Sequence, residues 1–308
     1  MTDAATQALP PPEGQWRAVW RQFRSHRAAM AGLVVLVALV LFVLIGPLVW
    51  RVDPAFIDPD PLKMLRLKDQ HPSWAHPFGT DQVGRDILAR TMAGGQVSLA
   101  VGFVAMAIAI GLGTLVGVLA GYFRRLDGPL MRLTDVFLSL PLVPLLLVLV
   151  LLFRDRLAGM LGPELGAFML IVTAIGVTSW MAAARIVRAE VLTVKEREFV
   201  LAAQSIGTKP RRIITRHLLP NVVSPVMVAA TLGIAEAIIT ESVLSFLGLG
   251  FPSDFPTWGR LLYDGLTYTS SYPERVIFPG LAISLTVLSV NLIGDGLRDA
   301  LDPRIRGR

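Results

Sequence analysis

Thr91–Phe123 reads TMAGGQVSLAVGFVAMAIAIGLGTLVGVLAGYF, 33 residues without a charged side chain, its apolar part starting near Val97. A helix needs about 20 mostly apolar residues to cross the hydrocarbon core of a bilayer. This stretch is therefore a membrane span. Within it Ala105, Ala109, Gly113, Gly117 and Gly121 recur four apart, which sets them on one slowly drifting helix face. Lipid tails give two helices no hydrophobic reason to associate; close backbone approach over small residues does, through van der Waals contact. The stripe predicts a central helix packed tightly on another, in this chain or in a partner subunit.

Outward from this segment, the same test finds five more spans. Ala28–Trp50 has 23 uncharged residues, Val136–Phe153 has 18, Leu165–Ala184 has 20 and Val276–Gly294 has 19. The remaining one runs from about Val222 to Phe246, interrupted by Glu236 and Glu241. Pro141 and Pro144 fall in the third span, where neighbouring helices can satisfy the carbonyl a proline frees. The first span is too long and uniform for a cleavable signal peptide, and no small-residue cleavage site follows it, so it is expected to stay as an anchor.

The whole chain agrees. Of 308 residues 53% are hydrophobic and 17% charged, with a mean hydropathy of +0.59, against roughly 25% charged for soluble domains. That argues against a soluble domain, a disordered chain and a collagen-like repeat. The absence of cysteine excludes disulfides, iron–sulfur clusters, Cys-ligated zinc and a thiol nucleophile. A net charge of +6 would suggest nucleic acid in a soluble protein. In a membrane protein basic residues collect on cytoplasmic loops, so lipid is the expected surroundings and nucleic acid is not an expected partner. Six crossings put both termini on one side, and 19 of the 29 Lys and Arg residues fall on that side, which predicts cytoplasmic termini. The expected organisation is a cytoplasmic tail (1–27), an anchor helix with an outer loop (28–96), a membrane core (97–298) containing a cytoplasmic loop (185–221), and a second tail (299–308). Residues 51–96, 154–164 and 248–275 are then outside.

Acids inside a membrane usually face a cavity or a partner. Glu236 lies about 22 Å along the helix from Asn221, well into the bilayer, and Glu241 is five residues further on. Five residues turn about 140°, so the two do not share a face. Glu236, Glu241 and Asn291 are the residues expected to line a translocation path, with Glu236 placed to meet a positive group on a substrate. Asp135 and Asp295 are expected at cytoplasmic helix ends.

The segment 185–221 is too polar to span yet reads as helix. Ala202 and Ala203 favour helix, Gly207 suits a helix stop, Pro210 suits the first turn of a second helix, and Pro220 marks the start of the fifth span. A short helix, a sharp turn and a second short helix make a compact cytoplasmic elbow. Leu201-Ala202-Ala203, three residues, Gly207, nine residues and His217-x-Leu219-Pro220 resemble the signature E-A-A-x3-G-x9-I-x-L-P of ABC importer permeases. Leu201 stands where the signature has Glu, and His217 where it has Ile. Further segments are similar to permeases of the dipeptide/oligopeptide/nickel group: Gly79-Thr80-Asp81-x-x-Gly84-Arg85-Asp86, Gly121-Tyr122-Phe123, Met131-Arg132, Ser245-Phe246-Leu247-Gly248-Leu249-Gly250, Trp258-Gly259, and the tail from Gly294 to Pro303. The resemblance covers about Trp16 to Arg304 and is to the second, C-type membrane subunit of that group.

The resemblance implies an all-α membrane bundle of the MetI-like type in the bacterial inner membrane, importing peptides or related small solutes. It implies that the helix at 195–207 couples to a cytoplasmic ATPase. It also implies a second homologous permease subunit, two ATPase subunits that bind the ATP, and an extracytoplasmic solute-binding protein. The outer loop around Phe251–Tyr272 is the expected surface for that protein. The chain has no Gly-Lys pair, hence no phosphate loop of its own, and any ATP drive comes from partners. A proton- or ion-coupled secondary transporter is the alternative; it calls for internal repeats and midplane ion ligands, and only Glu236 offers itself. A membrane enzyme needs a nucleophile–base pair or a metal cluster. The four histidines, His26, His71, His76 and His217, all lie outside the apolar stretches, and His71 and His76, close in sequence, are the one place for a transient metal contact.

Overall fold

A computed structural model of the chain describes residues 15–252 and 254–301. Thirteen α-helices follow one another among them: α1 (Gln15–Ser25), α2 (Arg27–Val49), α3 (Pro61–Leu67), α4 (Ile87–Tyr122), α5 (Arg124–Ser139), α6 (Leu142–Leu161), α7 (Pro163–Thr178), α8 (Trp180–Lys195), α9 (Glu198–Ser205), α10 (Pro210–Ile213), α11 (Leu219–Phe246), α12 (Trp258–Leu266) and α13 (Glu274–Leu301). A π-turn, Ile214–Leu218, joins α10 to α11. Among the described residues the β pairing is one antiparallel bridge, Thr80 to Asp86. Five stretches are long and apolar enough to cross a membrane, and the pair α5 and α6, bent by 87°, makes six if it counts as one span. The basic tail residues Arg304, Arg306 and Arg308 lie outside the described residues.

The spans differ from the charge-free stretches where the backbone has its own demands. The expected third span, Val136–Phe153, straddles two helices. Leu140 adopts an extended conformation before Pro141, because the proline ring disfavours helix in the residue preceding it. The apolar helix is α6, which continues through Arg154, Asp155 and Arg156. The expected fourth span ends at Ala184, but α8 runs on to Lys195. Residues 185–195, expected to be helical but outside the span, continue the same helix. Between α7 and α8 the chain breaks at Ser179, with φ −116° and ψ 2°. Pro220 lies in the first turn of α11, as expected, but no gap precedes it: one helical path runs from Pro210 through the π-turn into α11. A proline leaves a carbonyl in the preceding turn without its amide partner, and widening the turn is one way to accommodate that.

Helix α4 is the axis of the bundle. A Cβ on Gly113 would stand 2.6 Å from Ala183 Cβ and 2.6 Å from the Trp180 carbonyl oxygen. On Gly117 it would stand 2.6 Å from the Ala184 carbonyl oxygen, and on Gly121 2.7 Å from Val191 Cγ1. Higher up, Gly176 of α7 presses on Ala105 and Ile108, and Ala105 and Ala109 are fully buried. The five-residue stripe thus faces α7 and α8 of the same chain. Helix α5 lies along α8 through Arg188, which holds Asp127 with both arms (2.5 and 2.7 Å), and Arg185, which reaches Asp135 at 2.5 Å.

Candidate functional site

The Ser179 break is where the bundle opens. Two clefts of about 180 and 170 Å³ lie beside it, sharing Ser179, Ala182 and Glu236 in their walls. Gly233 and Met106 complete one, Phe137 and Leu145 the other. Glu236 is the one charged side chain in either wall, and it is exposed. Its carbonyl accepts from Thr240 Oγ1 at 2.8 Å, while among the described residues no side chain bonds its carboxylate. An interrupted helix at membrane depth is tolerated where it lines a cavity, which is the setting here.

Glu241 is placed differently from the expectation. It is 0% exposed. Ser98 Oγ donates to its Oε2 at 3.2 Å and Ser245 Oγ to its Oε1 at 2.7 Å. Ser98 Oγ also accepts from the Trp258 backbone N–H, and Trp258 Nε1 donates to the Thr91 carbonyl at 2.9 Å. Glu241 is thus the hub that ties α11 to α4 and to the turn before α12, and it borders neither of the two clefts. Asn291 is half-buried on α13 and borders neither cleft. Of the three intramembrane polar residues, the fold brings only Glu236 to a cavity. Asp135 is not at a helix end but inside α5, paired as above, and Asp295 lies inside α13.

The elbow at the other end of α8 has a buried side and an exposed side. The helix expected over 195–207 is α9, eight residues long, closed by Gly207 at φ +75°, a left-handed conformation that costs glycine little. Val200 is fully buried, in the core that holds Val194, Ile213 and Leu218, and Ala203 is 8% exposed. Phe199, Leu201 and Ile206 project outward at 46, 44 and 83% exposure. Ala202 faces outward with them, so the two signature alanines have opposite surroundings. His217 is half-buried with its ring 6.0 Å from Phe199, Leu219 is half-buried and Pro220 is exposed.

Sequence reasoning missed the knot on the side of α4 opposite the elbow. Asp86 caps α4 by accepting from the Ala89 N–H at 2.7 Å, and it also accepts from Trp50 Nε1. Asp81 holds Arg85 Nε and Arg90 Nη1, both at 2.7 Å, while Arg90 also approaches Asp264 at 3.6 Å. Arg275 donates to Asp69 at 2.6 Å and to the Thr80 carbonyl, its guanidinium lying over the rings of Tyr268 and Tyr272. Burial alone would raise the Asp81 carboxyl, but the charges of Arg90 and Arg85 outweigh it and hold the group below the ordinary carboxylate value. His71 and His76 do not meet: His71 contacts Glu274 at 2.9 Å and His76 contacts Asp86 at 2.8 Å. Among the described residues no group of three or more acids and histidines is placed to hold a metal ion. The loop expected to receive a binding protein is partly core, with Phe251 1% and Trp258 0% exposed. Phe78 stacks on Phe278 with ring centres 3.7 Å apart, closing the knot from the α13 side.

Apolar spans beside a cleft-lining break, with an exposed apolar elbow at one end, define a multi-span membrane protein. Residues 109–307 match the family described as "Binding-protein-dependent transport system inner membrane component", and residues 14–70 match "N-terminal TM domain of oligopeptide transport permease C". The chain belongs to this family of inner-membrane components. It is 41% identical over 291 residues to the dipeptide transport system permease protein DppC of Bacillus subtilis, covering 93% of this chain and 85% of that one. It is 38% identical over 304 residues to DppC of Alkalihalophilus pseudofirmus, covering 96% and 94%, and 38% identical over 292 residues to the oligopeptide permease OppC of B. subtilis, covering 94% and 90%. Among solved structures, the inward-facing MetNI methionine ABC transporter shares the fold, with TM-score 0.53 at 20% identity over 70% of this chain and 97% of that one. The protein is a multi-pass permease subunit of an ABC importer in the bacterial inner membrane. It is a transport subunit, and such subunits work with ATPase and other membrane subunits.

Proposed function

We propose that this chain forms one half of the translocation path of a peptide importer. A second, homologous permease subunit completes the path, two ATPase subunits bind and hydrolyse the ATP, and an extracytoplasmic solute-binding protein delivers the cargo. The names of the relatives support peptides as the cargo. The observation that carries the coupling assignment is the two-sided elbow. Val200 locks α9 into the core that joins α8 to α10 and α11, with Ala203 buried beside it in sequence, while Phe199, Leu201 and Ile206 offer an apolar face to a partner. Leu201 in the signature Glu position makes that seat greasier and less charged. A push on α9 passes directly to α8 and α11, the helices that border the Ser179 break and carry Glu236. Access to the cleft is thereby linked to events at the ATPase. Leu219 and Pro220 at the start of α11, with His217 before them, are the return arm of this lever, and Gly207 is its tip.

The test uses the natural absence of cysteine. Ile206→Cys and Ala202→Cys should crosslink in membranes to single-Cys ATPase subunits co-expressed with the chain, and ATP should change the yield. Ala203→Cys, turned inward, should crosslink several-fold less. Equal yields from the three positions, or no crosslink to an ATPase from correctly inserted protein, would overturn the assignment. Proton-driven uptake by the isolated chain would then be the reading to pursue, with Glu236 as the coupling acid.

A further inference from the structure

Helix α1 falls in the expected cytoplasmic tail, yet it is built into the fold. Val19 and Phe23 are buried at 7 and 4% exposure, in a cluster with Ala29 of α2 and Ala300 of α13. Gly296 allows the approach: a Cβ there would stand 2.3 Å from Ala29 Cβ and 3.2 Å from the Phe23 ring. One residue, His26, separates α1 from α2. Its Nδ1 caps α2 by accepting from the Ala29 N–H, and its Nε2 lies 3.5 Å from Asp299. The ends of two candidate spans, α2 and α13, therefore meet where α1 lies, and the one-residue link keeps α1 beside the start of α2. With the termini on the cytoplasmic side, as the charge distribution leads us to infer, that end of the bundle falls at the headgroup layer.

The apolar face of α1 is spent on the protein. At 100° per residue, Arg17, Trp20, Arg21 and Arg24 share an arc of about 100°, turned about 130° from Val19 and Phe23. All four are exposed, Trp20 at 52% with one side of its ring stacked on Phe23 at the edge of the docked face. A ridge of arginines with one tryptophan, held at the membrane surface, has the chemistry of an anionic headgroup site. Guanidinium groups bind phosphate with paired hydrogen bonds, and tryptophan prefers the headgroup level. We propose that the Arg17–Trp20–Arg24 face of α1 binds anionic phospholipid headgroups, clamping the ends of α2 and α13 to the bilayer surface. A charged patch on a soluble partner would not need Trp20 at the level where two spans end, and the single-residue link places lipid phosphates within reach whether or not a partner is present.

The test is a titration of the purified full-length chain in neutral detergent with phosphatidylglycerol or phosphatidylcholine brominated near the headgroup end of the acyl chains. The fluorescence lost on quenching is read as the difference between wild type and Trp20→Phe. Phosphatidylglycerol should quench Trp20 at much lower mole fraction than phosphatidylcholine, and less so at high salt. Basic residues near an anionic surface contribute roughly a fivefold change in binding each, so Arg17→Gln/Arg24→Gln should weaken the phosphatidylglycerol half-point about 25-fold, while Arg17→Lys/Arg24→Lys stays within a few fold of wild type. Unchanged thermal unfolding of the Gln variant would show that α1 is still docked through Val19 and Phe23. Equal quenching by the two lipids, or a preference that survives Arg17→Gln/Arg24→Gln, overturns the proposal and leaves the ridge to an acidic protein partner.

Discussion

Gly113→Ala tests the α4–α8 seam with a single methyl group. The new Cβ would stand 2.6 Å from both Ala183 Cβ and the Trp180 carbonyl oxygen, and 3.0 Å from the Ala184 nitrogen. Two of those three atoms are backbone and cannot rotate away. To restore an ordinary contact of 3.4 Å the helices must part by about 0.8 Å. Neighbouring seam contacts at Gly117 and Gly121 then open with them, and a gap of about 0.5–1 Å forfeits a quarter to a half of each dispersion well. Overpacking of this kind costs about 1–3 kcal/mol. Alanine is also a better helix former than glycine by up to about 1 kcal/mol, which would mask part of the loss. Gly111→Ala removes the ambiguity: it lies two residues away on the same helix, with nothing within 4 Å of its Cβ position. The two variants share the propensity gain, so their difference isolates the clash. Equilibrium unfolding of the purified chain in mixed micelles, followed by helical circular dichroism, should place Gly113→Ala about 1–3 kcal/mol below Gly111→Ala. Equal stabilities would refute the claim that this seam is set by backbone contact.

Two further substitutions address the polar interior. The Asp81 carboxyl is held below its ordinary value by Arg90 and Arg85 against the opposing effect of burial. The stability it contributes is therefore full above the unfolded carboxylate value and is lost as pH falls through the folded one. Asp81→Asn should lower stability at pH 7 by about 1.5–3 kcal/mol, since it weakens the short charge-assisted bonds to Arg85 and Arg90 while Arg85 keeps Asp254 and Arg90 keeps Asp264, each at 3.6 Å, and thermal unfolding measured from pH 7 down to pH 3 should show a shallower acid decline than wild type. Glu241→Leu removes the acceptor for Ser98 and Ser245 and should cost about 1–3 kcal/mol for each hydroxyl left unsatisfied; Glu241→Gln, which keeps an acceptor, should lose less than half as much in the same unfolding assay.

What the sequence disclosed and what it concealed follow from the range of the forces involved. The spans were legible because a bilayer demands apolar length and nothing more, and the α4 stripe because helix period and small size are local properties. The boundaries failed where charge was used as a stop signal: Arg154 in α6 and Arg185 in α8 sit inside helices, since an arginine near a span end reaches water or finds an acid, as Arg185 does with Asp135. The bend at Leu140 had a local cause in Pro141. The break at Ser179 has no such cause, and no residue type announced it. The outer knot was invisible for the opposite reason. Asp69 and Arg275 are 206 residues apart, and no period or spacing relates them; the motif around Asp81–Arg85–Asp86 carries a family resemblance in its letters, but its physical purpose, capping α4 and pairing with Arg90, depends on contacts the letters do not encode. Helix α1 was read as a tail because a test for spanning rejects a helix with three arginines, although 11 residues with Val19 and Phe23 on one face suffice to dock. The sharpest case is Glu236 and Glu241. Helical geometry separates them by about 140°, so the two could be told to differ. Which one faced a cavity depended on what α4, α8 and α12 bring to each side. The Ser98 and Ser245 hydroxyls close over Glu241, while the clefts beside the one-residue break at Ser179 leave Glu236 open. In this fold the acid that reaches a cleft is the one its neighbours leave without a side-chain partner.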